Sequence, residues 1–89
     1  MYSVYFAKSL RNQKVYVGFT SINPEERVKQ HNSSSNEFTK HNGPFRLVYH
    51  EDYFCKEDAM NRERFYKMGF GKHIKQIIVK YTEEKVLRL

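Results

Sequence analysis

Two stretches near the start of the chain alternate apolar and polar side chains with the period of a β-strand. Tyr2-Ser-Val-Tyr-Phe-Ala7 and Lys14-Val-Tyr-Val-Gly-Phe19 each send every second residue to one face. The polar segment Lys8 to Gln13, with Arg11-Asn12 at its tip, joins them as a hairpin. A helix start follows, with Asn23 as N-cap, Pro24 at the first helical position and Glu25 and Glu26 in the first turn; Glu26 stands three after Asn23, as a capping box requires. The helix runs out near Asn32, where Ser33-Ser-Ser-Asn36 competes for backbone hydrogen bonds and favours a loop. Gly43-Pro44 punctuates the chain, and Phe45-Arg-Leu-Val-Tyr49 opens a third strand that lasts to about Tyr53. A second helix is predicted over Lys56 to Met68, with Gly69-Phe70-Gly71 interrupting it, and a third over Lys72 to Val79, where Ile74, Ile77 and Ile78 fall at helical spacing. Thr82 to Leu89 carries no strong signal and reads as a short helix or a frayed stub. The order is β-β-α-β-α-α, an α+β fold in which a small three-stranded antiparallel sheet is flanked by helices. One domain over residues 1–80 is expected, with residues 81–89 as a tail.

Size and charge narrow the function. A chain of 89 residues supports one core. No apolar run approaches the ~18 residues needed to span a bilayer, and the N-terminus lacks the basic region of a signal peptide, so a soluble protein without a membrane partner is expected. Sixteen Lys and Arg against ten Asp and Glu leave a net charge of +6. That balance points to a polyanionic partner, nucleic acid first. The excess concentrates in residues 60–80, which hold Arg62, Arg64, Lys67, Lys72, Lys75 and Lys80 against Glu63 alone; the plainer reading is a solvated, solubilising surface. The single cysteine, Cys55, is read as a small buried hydrophobe in a reducing cytoplasm, and no cysteine or histidine pair has zinc spacing.

Three local patterns carry chemistry. If Tyr5 faces Tyr16 across the hairpin, then Ser3 faces Gly18 and Ala7 faces Lys14, and one face presents two phenols amid small residues. The other face (Tyr2, Val4, Phe6, Val15, Val17, Phe19) is a core face. The phenols form either the floor of a shallow site or a cross-strand pair that stabilises the hairpin by about 0.2–1 kcal/mol. Arg27 and His31 share one face of the first helix, one turn apart, which suits a phosphate: a guanidinium grips two oxygens and an imidazole moves a proton near neutral pH. A solvated polar face is the alternative. On the second helix Glu63 falls within an arc of Ala59, Met60, Tyr66 and Phe70. A carboxylate there needs a cation or a metal to remain ionised, and Lys67 at i+4 is the ordinary partner.

Taken together, Ser3-Val4-Tyr5, Tyr16-Val17-Gly18, Arg27 with His31, and Ala59-x-x-x-Glu63 resemble the GIY-YIG nuclease superfamily, especially its small stand-alone bacterial members and the catalytic domain of the excision-repair nuclease. The stretches Arg27 to Asn32 and Thr39 to Tyr49 add to the likeness, which runs from about Tyr2 to Val79. Ser3 departs from the family pattern, which has glycine there. The resemblance implies a metal-dependent endonuclease acting on DNA, with Tyr5 and Tyr16 at the centre of the site. Arg27 would hold the scissile phosphate, His31 would assist proton transfer, and Glu63 would bind a single Mg²⁺ (or Mn²⁺). An arginine, a cation and a basic surround would lower a phenol's pKa towards useful values. One carboxylate suits an ion that keeps most of its water; Glu51-Asp52 and Glu57-Asp58 are read as strand-end and helix-start charges instead. Lys14, Lys29, Lys40, Arg62 and Lys67 are the expected phosphate contacts. The substrate is DNA, whether duplex, branched or single-stranded, and so small a domain acts by structure or strand, or with a protein partner; DNA repair is one pathway that suits it. An inactive nucleic-acid-binding module on the same scaffold is the alternative, and a structural protein with an incidental basic surface is a third.

Overall fold

The computed structural model describes residues 1–34 and 36–87. In chain order the elements are β1 (Tyr2–Ser9), β2 (Val15–Thr20), α1 (Pro24–Ser33), α2 (Glu37–Asn42), β3 (Phe45–Tyr53), α3 (Lys56–Tyr66) and α4 (Gly69–Leu87). The three strands form one antiparallel sheet in the order β2-β1-β3, so the first strand is central. Its residues point alternately to two faces. Val4 and Phe6 meet Ala59, Tyr66 and Val79 of α3 and α4 in the larger core; Tyr5 and Ala7 meet Val28 of α1 and Phe45 in a smaller one. No helix among the described residues is long and apolar enough to cross a membrane.

The hairpin register differs from the expected one. Tyr5 lies opposite Gly18 and Ala7 opposite Tyr16, with Ser3 opposite Thr20. The cause is a tighter turn, since β1 continues to Ser9, whose amide donates to the Lys14 carbonyl at 2.8 Å. The Ser9 hydroxyl accepts from the amides of Arg11 and Asn12, each at 3.1 Å, and the Asn12 side chain accepts from the Lys14 amide at 2.9 Å. Side chains thus satisfy the loop's backbone donors, and Gln13 closes it at φ 65°. Because the side-chain period of a strand is two, the slip of two positions leaves both tyrosines on the face assigned to them.

Asn23 caps α1 as expected, accepting from the Glu25 amide at 2.8 Å. The segment after it holds a helix that the serine run concealed: α2 begins where Asn36 accepts from the Thr39 amide at 2.9 Å. The end of α1 is stitched to β3 by the Asn32 side chain, which gives to and takes from the Phe45 backbone at 2.8 Å each way.

Helix α3 stops at Tyr66 rather than Met68. Gly71 explains the tight reversal: a Cβ there would stand 1.8 Å from the Phe65 carbonyl oxygen, so only glycine lets α4 approach the end of α3. Phe70 therefore leaves the α3 arc and is exposed, as is Met60, while Ala59 and Tyr66 are fully buried. Helix α4 continues unbroken into residues 82–87, and residues 88 and 89 lie outside the described ones. Glu83 draws it onto the sheet through Lys8 at 2.5 Å and Arg46 at 3.1 Å. Two further expectations are corrected. Cys55 is exposed, because it sits at the N-cap of α3 and not beneath it. Glu51 is no loose strand-end charge: its carboxylate accepts from Tyr49 at 2.7 Å, Tyr53 at 2.6 Å, Arg62 at 3.0 Å and the Tyr66 hydroxyl. Asp52 accepts from the Ser3 hydroxyl at 2.6 Å and pairs with His50 at 3.0 Å, while Glu57 and Asp58 occupy the first turn of α3.

Candidate active site

Tyr5 stands on the central strand, with the end of its ring over Gly18 of the neighbouring one. A Cβ on residue 18 would come within 2.3 Å of the Tyr5 Cζ and 2.4 Å of its hydroxyl. Gly18 is therefore a space for the phenol, which is the physical reason the second motif ends in glycine. Beside it opens a cleft of about 200 Å³, walled by Tyr5, Tyr16, Gly18, Val28, His31 and Phe38 among others. The sheet supplies its floor and α1 and α2 its sides.

Arg27 and Glu63 complete the neighbourhood electrostatically. Burial pushes the Tyr5 phenol above its ordinary 10.0, the adjacent Arg27 guanidinium pulls it back by charge and hydrogen bonding, and the Glu63 carboxylate pushes it up again. The net direction is upward, opposite to the lowering expected of a basic site, because Tyr5 is only 5% exposed. At neutral pH it is thus a phenol that donates. His31 moves the other way: burial and then the Arg27 charge hold its imidazole below 6.5, leaving it neutral and able to accept a proton. Tyr16 donates to Asn42 Oδ1 at 3.2 Å and stands edge-on to Phe38 and Phe45, with ring centroids 5.3 and 5.6 Å away. The end of α2 fixes its orientation.

Glu63 retains its helix partner, Lys67, at 3.3 Å, and its side chain is one-quarter exposed. No group of three or more His, Cys, Asp or Glu residues suited to a metal occurs among the described residues. Glu63, the residue expected to hold an ion, thus offers one hard, partly exposed carboxylate, which would fit a mostly hydrated Mg²⁺-like ion and not a closed site such as structural zinc requires.

Of the basic residues expected to meet phosphate, Lys14, Lys29 and Lys40 are exposed. Arg62 is held by Glu51 and lies over the Phe65 and Tyr66 rings at 4.7 and 4.6 Å, and Lys67 is paired with Glu63. Sequence reasoning missed Phe38 and Asn42, which belong to the concealed α2. Asn36 followed by an acidic residue was the one signal of that helix.

The family model of the GIY-YIG catalytic domain matches residues 1–77, from β1 well into α4. The chain belongs to the GIY-YIG family of nuclease domains, whose members generally depend on a divalent metal. It is similar to two proteins of the UPF0213 group. One, from Clostridium perfringens, is 37% identical over 65 residues, covering 72% of this chain and 68% of the relative. The other, from Bacillus licheniformis, is 32% identical over 82 residues, covering 91% and 79%. No solved structure matches the chain significantly.

Proposed function

We propose that the protein is an endonuclease that hydrolyses DNA phosphodiester bonds with the help of one Mg²⁺ or Mn²⁺ ion held by Glu63. What supports this reading is that Arg27 and Glu63, on two different helices, both act by charge on the Tyr5 phenol, and that Tyr5 lines a cleft together with Tyr16 and His31. Arg27 grips the non-bridging oxygens of the scissile phosphate and offsets the charge that develops on them. His31, uncharged at neutral pH, accepts the proton of the attacking water. Tyr5 and Tyr16 orient that water and the phosphate through their hydroxyls. When bound, the ion supplies Lewis-acid stabilisation of the transition state. Exposed Lys14, Lys29 and Lys40, with Lys67 once Glu63 engages the ion, follow the backbone without reading bases, so selection is by DNA structure or strand. Repair of damaged or branched DNA in the cytoplasm suits such an activity.

A binding module without turnover is the second reading, favoured by the Lys67–Glu63 pair, which engages the acid proposed to hold the ion. Mg²⁺-dependent nicking of branched, single-stranded and duplex DNA separates the two. Glu63→Ala is expected to abolish cleavage while DNA affinity holds or rises, since a negative charge is removed. Equal activity of the variant refutes the role given to Glu63, and no cleavage of any substrate by the unaltered protein refutes the enzyme.

A further inference from the structure

The cleft beside the two tyrosines has a wall that phosphodiester hydrolysis does not require. Phe38, on the six-residue helix α2, is 48% exposed, a position where a polar side chain would suit solvent better than a phenyl ring. Its ring lies parallel to that of Phe45 at a centroid distance of 5.8 Å and 10° between planes, and Tyr16 stands edge-on to both. The three rings form a braced aromatic surface, one end of which remains open to the cleft. Helix α2 is too short to hold Phe38 by itself and is tied down from both sides: the Arg11 guanidinium donates to the Lys40 carbonyl at 2.9 Å, and Asn42 takes the Tyr16 hydroxyl. Basic side chains stand on or next to the elements that bound the cleft: exposed Lys14 precedes β2, exposed Lys29 lies on α1, and exposed Lys40 lies on α2, where exposed Glu37 also precedes Phe38. An open aromatic face on a chain of net charge +6 matches a base attached to a phosphate backbone, since every nucleobase has a π-face and every nucleotide an anionic link.

We infer that the Phe38 face of the cleft is a stacking subsite for an unpaired nucleobase adjoining the scissile phosphate, so that the substrate is DNA with a single-stranded or extruded nucleotide at the cut. This rests on the nuclease reading of the same cleft and narrows its substrate class. Tyr5 and Tyr16 line the space that Phe38 closes, so a phosphate placed at their hydroxyls carries its own base into the aromatic pocket. A paired base cannot enter, because it is confined within the duplex stack until it is unpaired and turned out. The selectivity is therefore built into the wall and needs no hydrogen bonds to base edges, which agrees with the pocket's mainly apolar walls. Stacking of this kind tolerates every base, so the subsite selects for strandedness and against no particular sequence.

The test uses the full chain with divalent metal withheld, so that binding is read without turnover. A short mixed-sequence single strand with 2-aminopurine at its purine positions is titrated against the protein, alongside the matching duplex and a strand with abasic sites in place of those purines. The expected result is a saturable change in 2-aminopurine fluorescence, with the single strand bound at least tenfold more tightly than the duplex. Phe38→Ala is expected to weaken the single strand about tenfold, the scale of one lost base–aromatic stack. It should leave the abasic strand and the duplex within about twofold of the unaltered protein. Phe38→Trp keeps a larger ring and is expected to retain single-strand affinity, whereas Phe38→Leu, which keeps apolar cover without the ring, behaves like the alanine variant. Circular dichroism melts that coincide for the tryptophan and leucine variants exclude unfolding as the cause. The inference fails if Phe38→Ala and Phe38→Leu lower affinity for intact and abasic strands equally, or if duplex binds as tightly as single strand. Absence of metal-dependent cleavage on every substrate refutes the nuclease reading and leaves this binding result to stand on its own.

Discussion

The absent side chain of Gly18 shows how closely one residue can set another. A methyl group there overlaps the far end of the Tyr5 ring, which is the flexible end, so the phenol has to swing aside and takes its hydroxyl with it. Gly18→Ala is therefore expected to cost about 1–3 kcal/mol in stability, as overpacking does. It should cost far more in turnover, at least tenfold, because the displaced hydroxyl is one that the proposed mechanism uses to orient the reactants; denaturant melts and single-turnover cleavage read the two effects separately. His31 offers a second residue-scale check. Burial and the nearby guanidinium of Arg27 hold it below 6.5, and its neutral form is the one able to accept a proton. The acid limb of kcat/KM should rise with an apparent pKa under 6.5 and be flat above it. His31→Gln should flatten that limb and lower the plateau by about 10²–10⁴-fold, the usual worth of a general base; an unchanged limb assigns the titration to another group. Ser3, where the family carries glycine, spends its hydroxyl on Asp52 and so adds no free group to the cleft.

At the scale of elements, Glu51 joins β3 to α3 more firmly than any apolar contact pattern foretold. Burial pushes its carboxyl up, but hydrogen bonds from Tyr53, Tyr66, Tyr49 and Arg62 outweigh that and hold it below 4.5. In return, burial and the Glu51 charge raise the Tyr53 and Tyr66 phenols to about 12. A carboxylate with a lowered folded pKa stabilises fully above its unfolded value and loses that contribution as pH falls through the folded value. Stability should thus drop with acid below about pH 4.5, and Glu51→Gln should make that drop shallower. Glu51→Ala leaves three hydroxyls and a guanidinium without their acceptor and is expected to cost about 3–5 kcal/mol in urea unfolding at neutral pH. Every element except α2 was legible from alternation, caps and helical spacing, since these report local backbone preference and which face is buried, but the extent of α4 was not: it takes in Gly69-Phe70-Gly71, expected as an interruption, and runs past Val79 to Leu87. What escaped depends on particular side-chain hydrogen bonds, some local and some distant in sequence, that periodicity does not report. The hairpin register turns on the side chains of Ser9 and Asn12, α2 on its anchors at Arg11 and Tyr16, and the Glu51 cluster on four groups spread from Tyr49 to Tyr66. The proposed site residues could be named from the sequence because each lies on a well-signalled element; the cleft's aromatic wall could not, because Phe38 stands on the one that was missed.

Across the whole molecule, the net charge of +6 matters less than how many of its cations are free. Lys8 and Arg46 are engaged by Glu83, Arg62 by Glu51, and Lys67 by Glu63, so a good part of the positive charge is already balanced within the fold. Of the cations without a carboxylate partner, Arg27 and exposed Lys14, Lys29 and Lys40 are the ones the proposed mode of binding assigns to phosphates, whereas exposed Lys56, Arg64, Lys72 and Lys80 lie outside it. Four such contacts predict that log K for a single strand falls with log salt at a slope of about −3, from roughly 0.7 per phosphate neutralised. Lys14→Gln, Lys29→Gln or Lys40→Gln should each reduce the slope by that single step while leaving unfolding free energy within about 0.5 kcal/mol, as surface changes do. Arg62→Gln is expected to do the reverse, weakening the fold through Glu51 and leaving the slope unchanged. Affinity titrations at a series of salt concentrations decide between these outcomes. A slope near about −6, twice that expected of the four contacts, means that the electrostatic footprint spreads over the whole basic surface, and one that Arg62→Gln reduces means that DNA pulls this paired cation away from Glu51.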